Sequence, residues 1–243
     1  MKPFVDIHCH ALFGVDDGAE DQSTMEEMLQ IAHRNGTRAL CFTPHFNFGE
    51  QNCFEQMAVS FAAAESYCKE HLPDLRLFMG NELSYRVGCI DSLLSGECKT
   101  LGESRYVLVD FFLVPDAASI IRAVDSLQNA GYLPIVAHVE RYDCFAGKMK
   151  EIVRLAETGA VIQVNAASIL MGSFSVTGRT AKKMLSEGLV HLVASDAHDT
   201  VMRSPDLSRC YEKVAGKYGE EYADMLFHDN PEKLLAGKRI VRL

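Results

Sequence analysis

Seven short apolar runs alternate with helical segments along the chain, and this alternation restricts the fold more than any other feature. The runs are largely continuous in Val, Ile, Leu and Phe, which is typical of strands buried on both faces of a parallel sheet. They cover residues 3–8, 38–43, 75–80, 106–111, 133–138, 160–165 and 190–195. A strand–helix repeat of this kind predicts an α/β fold.

The segments between the runs have helical patterns. Ser23 and Glu26 have the spacing of a capping box at the start of the first helix. The predicted helices cover residues 23–36, 54–71, 117–130, 147–158, 177–187 and 206–218. Four glycines that end helical segments are expected to be left-handed C-caps: Gly36, Gly131, Gly159 and Gly188.

The repeat continues without a linker, so we expect residues 1–243 to form one domain. Seven strand–helix units predict a closed or nearly closed barrel, with an open doubly wound sheet as the alternative. Residues 82–104 are the weak point of the pattern. They contain no clean amphipathic helix, and we expect a short, irregular connection there.

Charge and composition narrow the class of protein. The net charge of −9 disfavours a general nucleic-acid binder, which needs a basic face to neutralise phosphates. The eight cysteines form no CxxC pair, and we expect reduced thiols, with Cys9 and Cys41 acting as small hydrophobic residues. The N-terminal residues lack the apolar core of a signal peptide, and no apolar stretch is long enough for a membrane span. We therefore expect a cytoplasmic protein without membrane insertion. The sequence does not determine the oligomeric state and is compatible with an oligomer.

Metal-competent side chains cluster at the C-terminal ends of six of the seven runs. These ends share one face of a parallel barrel, the face where barrel active sites lie. Asp6, His8 and His10 occupy alternate positions of the first run, so we expect all three to point inward together. The residues at the strand ends are His8, His10, His45, Glu82, Asp110, His138, Asp196 and His198.

The adjacent pair Asp16 and Asp17 lies just beyond the first strand, before a glycine. In this setting Asp17 becomes a candidate ligand, whereas Asp16 is either a turn residue or a partner of a ligand. Asp17 brings the candidates to nine, more than a single catalytic zinc ion needs. The sequence therefore predicts two or three divalent ions, with Glu82 as a bridging carboxylate. Imidazole and carboxylate ligands without thiolate suit Mn²⁺, Fe²⁺ or Zn²⁺. Histidines away from the strand ends are interpreted as structural: His33, His71, His191 and His228.

Paired metal ions of this kind hydrolyse esters, and a phosphoester substrate would also need a cation beside its phosphate. Arg141 follows His138 by three residues, and Arg203 follows His198 by five. We expect both arginines to contact substrate, the alternative for each being a surface salt bridge. Together with Asp196 and His198 they form the predicted catalytic set. The chain has no Cys-x5-Arg phosphate loop, which disfavours a thiol-based phosphatase.

The segments DIHCHALFGVDDG, TPH, GNEL, AHVERY and SDAH resemble the PHP (polymerase and histidinol phosphatase) superfamily. More closely, the chain resembles the bacterial manganese-dependent tyrosine-protein phosphatases of capsule and exopolysaccharide operons, the CpsB/YwqE type. Further similar segments are SRYVLVDF, GYLPIVAHVERYD, VIQVNAASI, VHLVASDAHD and NPEKLL.

This resemblance implies a distorted (β/α)7, TIM-like barrel of the PHP fold with a trinuclear centre. It assigns one ion to His8, His10, Glu82 and Asp196. It assigns a second ion to Glu82, Asp110 and His138, and a third to Asp17, His45 and His198. Arg141 and Arg203 match the phosphate-holding arginines of the family. The implied substrate is a phosphotyrosine in a kinase that controls polysaccharide export.

The chain departs from the family pattern in two places. Asp110 stands where the family usually has the longer glutamate, which puts the ion at that position in doubt. The stretch NFGEQNCFEQ after His45 also differs, so the resemblance does not predict which residues form the rim of the substrate site.

Three alternative functions remain. A PHP phosphatase for a small phosphoester such as histidinol phosphate would have a deep, lidded pocket, whereas a protein phosphatase would have a shallow, open mouth. A metal nuclease or amidohydrolase often has a further His after the sixth strand or a Lys on the fourth, where this chain has Asn165 and Asp110. A non-enzymatic regulator is disfavoured because every ligand position holds a competent residue.

Overall fold

The computed structural model describes residues 2–47, 53–114, 116–172 and 174–240. Within these ranges nine strands pair in parallel, in the order β1-β2-β4 and β3-β5-β6-β7-β8-β9. Their bounds are β1 Phe4–Cys9, β2 Thr37–Phe42, β3 His45–Asn47, β4 Arg76–Met79, β5 Glu82–Ser84, β6 Tyr106–Asp110, β7 Leu133–Val136, β8 Val161–Asn165 and β9 Leu192–Ala194.

The second and third predicted strands are each interrupted, and this explains why nine strands occupy seven positions. Pro44 separates β2 from β3 and has no backbone N–H to donate. Gly80 separates β4 from β5, where a Cβ would lie 2.5 Å from a Leu101 methyl carbon. Backbone bonds from Gly80 to Phe42 (2.9 Å) and from Glu82 to Pro44 (3.1 Å) carry the pairing across both breaks.

The two edges of the curved sheet meet, as in a barrel. Asp196 donates its backbone N–H to the carbonyl of His8 (2.9 Å), and His10 donates to the carbonyl of Ala197 (2.8 Å). These bonds join β1 to the segment that follows β9. The expected α/β fold with parallel strands is therefore confirmed, and the contact between β1 and the segment after β9 favours a barrel over an open doubly wound sheet.

Helices connect the strands at nearly the predicted places. Their bounds are α1 Gln22–Arg34, α2 Phe54–His71, α3 Cys89–Ser95, α4 Ala117–Asn129, α5 Met149–Glu157, α6 Ala166–Leu170, α7 Val176–Ser186, α8 Ser208–Tyr218, α9 Glu220–Asp224 and α10 Asn230–Leu235. A 3₁₀ turn covers Val139–Arg141, and a π-helical turn covers Met225–Asp229. The four expected C-cap glycines all have positive φ, between 68° and 102°.

Two predictions about the helices and their connections were wrong. The predicted capping box is absent, because Asp21 is the N-cap of α1 and accepts a bond from the N–H of Thr24 (2.8 Å). Ser23 instead donates its hydroxyl to Asp21 (2.9 Å), so the helix begins one residue earlier than predicted. Residues 82–104 are also more regular than expected, since they contain β5 and the seven-residue helix α3. Gly88 and Gly96, both left-handed, flank this helix.

Apolar residues fill the ring below the polar strand ends. Leu108, Ile135 and Leu192 belong to one buried cluster, which also contains Val5 and Ile7 of β1. Cys9, by contrast, packs in a different cluster beneath α1. A register shift in the β1–β2 pairing between Asp6 and Cys9 accompanies this change. The predicted regular alternation along β1 is therefore wrong, although its two histidines still reach the site.

Among the described residues, no helix combines the length and the apolar character that a membrane span requires.

Candidate active site

The eleven residues predicted for the site converge at the C-terminal face of the ring. Nine of them line a cavity of about 260 Å³. The other two, His8 and His10, lie buried beside Glu82, each with its Nε2 3.3 Å from Oε2 of that carboxylate. Phe112 and Tyr142 complete the lining. The other predicted residues that line the cavity are Asp17, His45, Asp110, His138, Arg141, Asp196, His198 and Arg203.

Short strands and strained turns bring these side chains together. His45 and Glu82 start β3 and β5 and are paired neighbours in the sheet, rather than residues that follow a strand. His138 and Asp196 lie just beyond β7 and β9 with φ of 32° and 52°. Among non-glycine residues of the described ranges, only these two have positive φ. Such backbone strain typically persists where the surroundings hold a functional side chain in place.

The loop after β1 depends on a close approach of Gly18 to His10. A Cβ at Gly18 would lie 1.8 Å from the His10 carbonyl oxygen, so only glycine fits. Asp16 accepts a bond from the Gly18 N–H (3.1 Å) and also contacts His10 Nδ1 (2.8 Å) and the His45 N–H (3.0 Å). Asp16 is therefore both a turn residue and the partner of a candidate ligand.

The far nitrogens of three histidines have partners that fix their orientation. His10 Nδ1 contacts Asp16, His8 Nδ1 contacts Gln163 Oε1 (3.2 Å), and His198 Nδ1 contacts the Asp196 carbonyl (3.0 Å). When Nδ1 donates in this way, Nε2 is left free to bind a cation. The arrangement is the one that metal-ligating histidines generally adopt.

Three groups of donor atoms are close enough to share a cation, with all atoms in a group within 4.8 Å of one another. The groups are His10, Asp17, His45 and His198; His8, His10 and Glu82; and His8, His138 and Asp196. His8 Nε2 and His10 Nε2 lie only 3.1 Å apart, a contact in which two lone pairs would repel without a proton or cation between them. Buried His138 Nδ1 has no partner among the described residues. This donor set fits divalent cations of the Mn²⁺, Fe²⁺ or Zn²⁺ class.

Asp110 behaves differently from the other carboxylates. Its Oδ1 accepts bonds from the Tyr142 hydroxyl and the Phe112 N–H, both at 2.9 Å. Burial and the charge of Asp110 raise the pKa of Tyr142 well above its usual value, so this hydroxyl stays protonated and donates. Asp110 lines the cavity but belongs to none of the three donor groups. The carboxylate of Asp110 is therefore tied to a tyrosine, outside the three donor groups.

Protons balance the charges of the site when no cation is bound. Burial opposes protonation of His10, but its hydrogen bonds with Asp16 and Glu82 outweigh that effect and raise its pKa to about 10. Burial likewise opposes ionisation of Glu82, yet the charge of His8 and bonds from His10 and His138 lower its pKa well below the usual range. Burial and the neighbouring charges of His10 and Arg203 lower the pKa of His198 to about 4.

These proton equilibria predict that affinity for a divalent cation rises with pH. Because the pKa of His10 is about 10, a cation that binds near neutral pH must displace its proton. Below that pKa, the apparent affinity for the cation rises about tenfold per pH unit for each proton that the cation displaces. Calorimetric titration of the metal-free protein with Mn²⁺ at several pH values, in buffers of different ionisation enthalpy, measures both effects. Affinity that is independent of pH, with no proton release, would contradict the prediction.

Arg141 and Arg203 both contact one oxygen of Asp196. Arg141 Nη1 lies 3.1 Å and Arg203 Nη2 lies 2.8 Å from Oδ2, while Oδ1 lies 3.3 Å from His8 Nε2. The side chain of Arg141 is 49% exposed and that of Arg203 is 38% exposed, and both line the cavity. Asp196 thus links the candidate metal groups to the two candidate phosphate-binding cations. These arginines are not isolated surface salt bridges, which was the alternative interpretation.

Besides Phe112 and Tyr142, which line the cavity, two polar residues of the site were not recognised in the sequence. Gln163 and Asn165 take the inward positions at the end of β8, where no His, Asp or Glu occurs. Gln163 holds His8 and accepts a bond from the His138 N–H (2.9 Å), and Asn165 donates its amide to Asp196 Oδ2 (2.6 Å). Their i, i+2 spacing at a strand end was the signal that could have identified them.

We expect Asp16→Asn to weaken divalent-metal binding by about 10- to 100-fold, because the amide is a poorer acceptor for the His10 N–H. Glu20→Gln is the matched control, since Glu20 is exposed in the same loop and lies in none of the three donor groups. Mn²⁺ dissociation constants of the two variants test the role of Asp16. Equal affinity in Asp16→Asn and the control would assign Asp16 to the turn alone.

The remaining histidines have the structural roles predicted for them. His33 pairs with Asp74 (2.6 Å), His191 Nδ1 accepts the N–H of Ile162 (2.9 Å), and His228 Nδ1 contacts the Pro3 carbonyl (2.7 Å). His71 stacks on Tyr67 with ring centres 4.5 Å apart. Of the stretch 47–56 that differs from the family, residues 48–52 lie outside the described part of the chain.

Known proteins resemble this chain over nearly its whole length. It is 31% identical to the tyrosine-protein phosphatase CpsB of Streptococcus pneumoniae over 242 residues, which is 97% of this chain and 100% of that protein. It is 32% identical to the tyrosine-protein phosphatase YwqE of Bacillus subtilis over 247 residues, 98% of this chain and 94% of that protein. A solved structure from work on YwqE and CpsB, described as unique metal-dependent tyrosine phosphatases, superimposes with a TM-score of 0.87 at 29% identity, covering 98% of this chain and 97% of that one. The family model for capsular polysaccharide synthesis proteins CpsB/CapC matches residues 4–236, and this chain therefore belongs to that family.

Proposed function

We propose that this protein is a metal-dependent protein-tyrosine phosphatase. The observation that carries the proposal is the double role of Asp196, whose two oxygens contact the metal-competent histidine His8 and the arginines Arg141 and Arg203. Cation-binding groups and phosphate-binding groups thus share one cavity, as hydrolysis of a phosphomonoester requires. The activity named for the CpsB and YwqE relatives supports the same reaction.

Each set of residues has a distinct part in this reaction. The guanidinium groups of Arg141 and Arg203 would hold the phosphoryl oxygens and stabilise their growing charge. Asp196 and Asn165 keep these groups oriented before substrate arrives. The predicted ligands would hold two or three divalent ions, with Mn²⁺ the expected metal: His8, His10, Asp17, His45, Glu82, Asp110, His138, Asp196 and His198. When bound, such ions supply Lewis-acid stabilisation of phosphate charge and activate water for attack.

The mouth of the site suits an aromatic ester on a protein surface. Phe112 lines the cavity and is 79% exposed, and Leu113 beside it is 58% exposed. In the loop after β9, Val201 and Met202, which line an adjoining cavity, are 79% and 84% exposed. Exposed apolar side chains grouped around a site generally mark a surface that binds another molecule. A small, polar phosphoester such as histidinol phosphate would not cover them, so they favour phosphotyrosine in a protein.

The expected partner is a tyrosine kinase that regulates capsular or exopolysaccharide synthesis. The capsular context of the family supports this part of the proposal. Nuclease and amidohydrolase activity is less well supported, because Asn165 and Asp110 stand where such barrels often have histidine and lysine.

Turnover of three substrates by the metal-loaded protein tests the proposal. A phosphotyrosine peptide should be hydrolysed with a higher kcat/KM than histidinol phosphate, and single-stranded DNA should not be cleaved. A phosphoserine peptide of the same sequence controls for selectivity toward the aryl ester, and chelator should abolish turnover. Preferred hydrolysis of histidinol phosphate would contradict the assignment in favour of a small-molecule phosphatase.

A further inference from the structure

A second cavity adjoins the catalytic one. It has a volume of about 650 Å³ and shares three residues with the first, namely Arg141, Asp196 and Arg203. Its other walls come from the segment that begins at α6 and from the loop 201–206 with the start of α8. A substrate bound at the shared arginines would therefore continue directly into this groove.

The groove has one arginine that the proposed chemistry does not use. Arg209, in the first turn of α8, is exposed and lines the groove. Unlike Arg141 and Arg203, it has no ion pair or side-chain hydrogen bond to any part of the chain that the structure describes. Asp206 and Glu212 each lie three residues from Arg209 in the sequence, and Oδ1 of Asp206 accepts bonds from the N–H (2.9 Å) and the hydroxyl (2.6 Å) of Ser208.

The walls between the shared arginines and Arg209 are largely apolar. Leu170 and Met171 contribute from α6 and its C-cap, and Val201 and Met202 from the loop that precedes α8. Met171 is 42% exposed, so both walls offer side chains to a bound chain. The groove thus combines apolar contacts for a peptide with a cation that has no partner within the described residues. Its three arginines outnumber its two aspartates, Asp196 and Asp206, in a chain whose net charge is −9.

We infer that this groove binds the peptide that flanks the phosphotyrosine, and that Arg209 selects an anionic side chain on that peptide. The inference rests on the proposed function and adds a specificity determinant outside the reaction centre. The anionic group is a carboxylate or a second phosphate, since a guanidinium binds both. Because Arg209 lies away from the candidate metal groups, it affects substrate affinity and leaves the chemical step unchanged.

A series of phosphotyrosine peptides tests the inference. Each peptide carries a single glutamate, at a different position before or after the phosphotyrosine. At the position that reaches Arg209, wild-type protein should show a KM about tenfold lower than for a glutamine peptide, as expected for one charge-assisted contact. Arg209→Glu should remove this preference and favour a peptide with lysine at the same position. Lys217→Glu, on the same helix but outside both cavities, is the matched control. A peptide with phosphoserine in place of that glutamate shows whether Arg209 prefers a phosphate or a carboxylate.

Two further measurements separate the possible failures. Turnover of p-nitrophenyl phosphate, which has no flanking peptide, should be equal in wild type and Arg209→Glu. Binding of peptides that carry a non-hydrolysable phosphotyrosine analogue gives the same comparison without catalysis. If p-nitrophenyl phosphate and neutral peptides are hydrolysed but glutamate has no effect at any position, the groove inference is wrong and the phosphatase assignment stands. If wild-type protein hydrolyses no aryl phosphate, both are wrong.

Discussion

Replacing Asp196 by asparagine is expected to lower kcat/KM for a phosphotyrosine peptide by about 10³-fold, the upper range for losing one charged contact in a reaction centre. Asp196 is 2% exposed and lies within 3.3 Å of His8 Nε2, while two arginines and Asn165 contact its other oxygen. An amide would remove the negative charge that orients both arginines. It would also place an N–H group where an atom with a lone pair is needed to bind the cation.

Asparagine is the suitable replacement because Asp196 has φ of 52°, and asparagine, like aspartate, readily adopts this left-handed region. The variant should therefore fold, which circular dichroism and thermal unfolding would verify. Asp74→Asn is the control, since Asp74 pairs with His33 and Arg38 on the surface, away from the cavity. Full activity of Asp196→Asn would reject the metal-dependent mechanism.

Removal of divalent metal is expected to abolish turnover and also to lower thermal stability. The donor groups bring three carboxylates and five imidazoles to one face of the ring, and a bound cation would relieve their mutual repulsion. A metal present at 100 times its dissociation constant stabilises the folded state by about 2.7 kcal/mol per site. For a chain of this size that corresponds to roughly 5–10 °C in Tm.

The metal-free protein should remain folded, because protonation of His10, whose pKa is about 10, replaces part of the missing positive charge. Thermal unfolding and phosphatase assays after chelation, and again after adding Mn²⁺, Fe²⁺ or Zn²⁺ separately, measure both effects and identify the preferred metal. Undiminished turnover by a protein shown by elemental analysis to contain no metal would contradict this prediction.

The location of the site could be predicted from local sequence because parallel strands bring their C-terminal ends to one face. His8, His138 and Asp196 were each recognisable as polar residues at the end of an apolar run, and the ring brings them within reach of one another. Regular alternation was a poorer guide, since the register shift in β1 changes which side chains face the interior. The breaks at Pro44 and Gly80 were also missed, because the pairing that continues across them involves partners far apart in the chain.

The sequence by itself determined the fold class, the face of the barrel that carries the chemistry and the residue types available there. Strand and helix periodicity and residue chemistry are local properties, which a single chain displays directly. Only the tertiary structure decided which donor atoms lie close enough to share a cation, that Asp16 contacts His10, that Asp110 is bonded to Tyr142, and that the groove with Arg209 adjoins the candidate catalytic cavity. Those facts depend on distances across the ring between segments up to nearly 200 residues apart, and such distances are set by strand order, register and turn geometry.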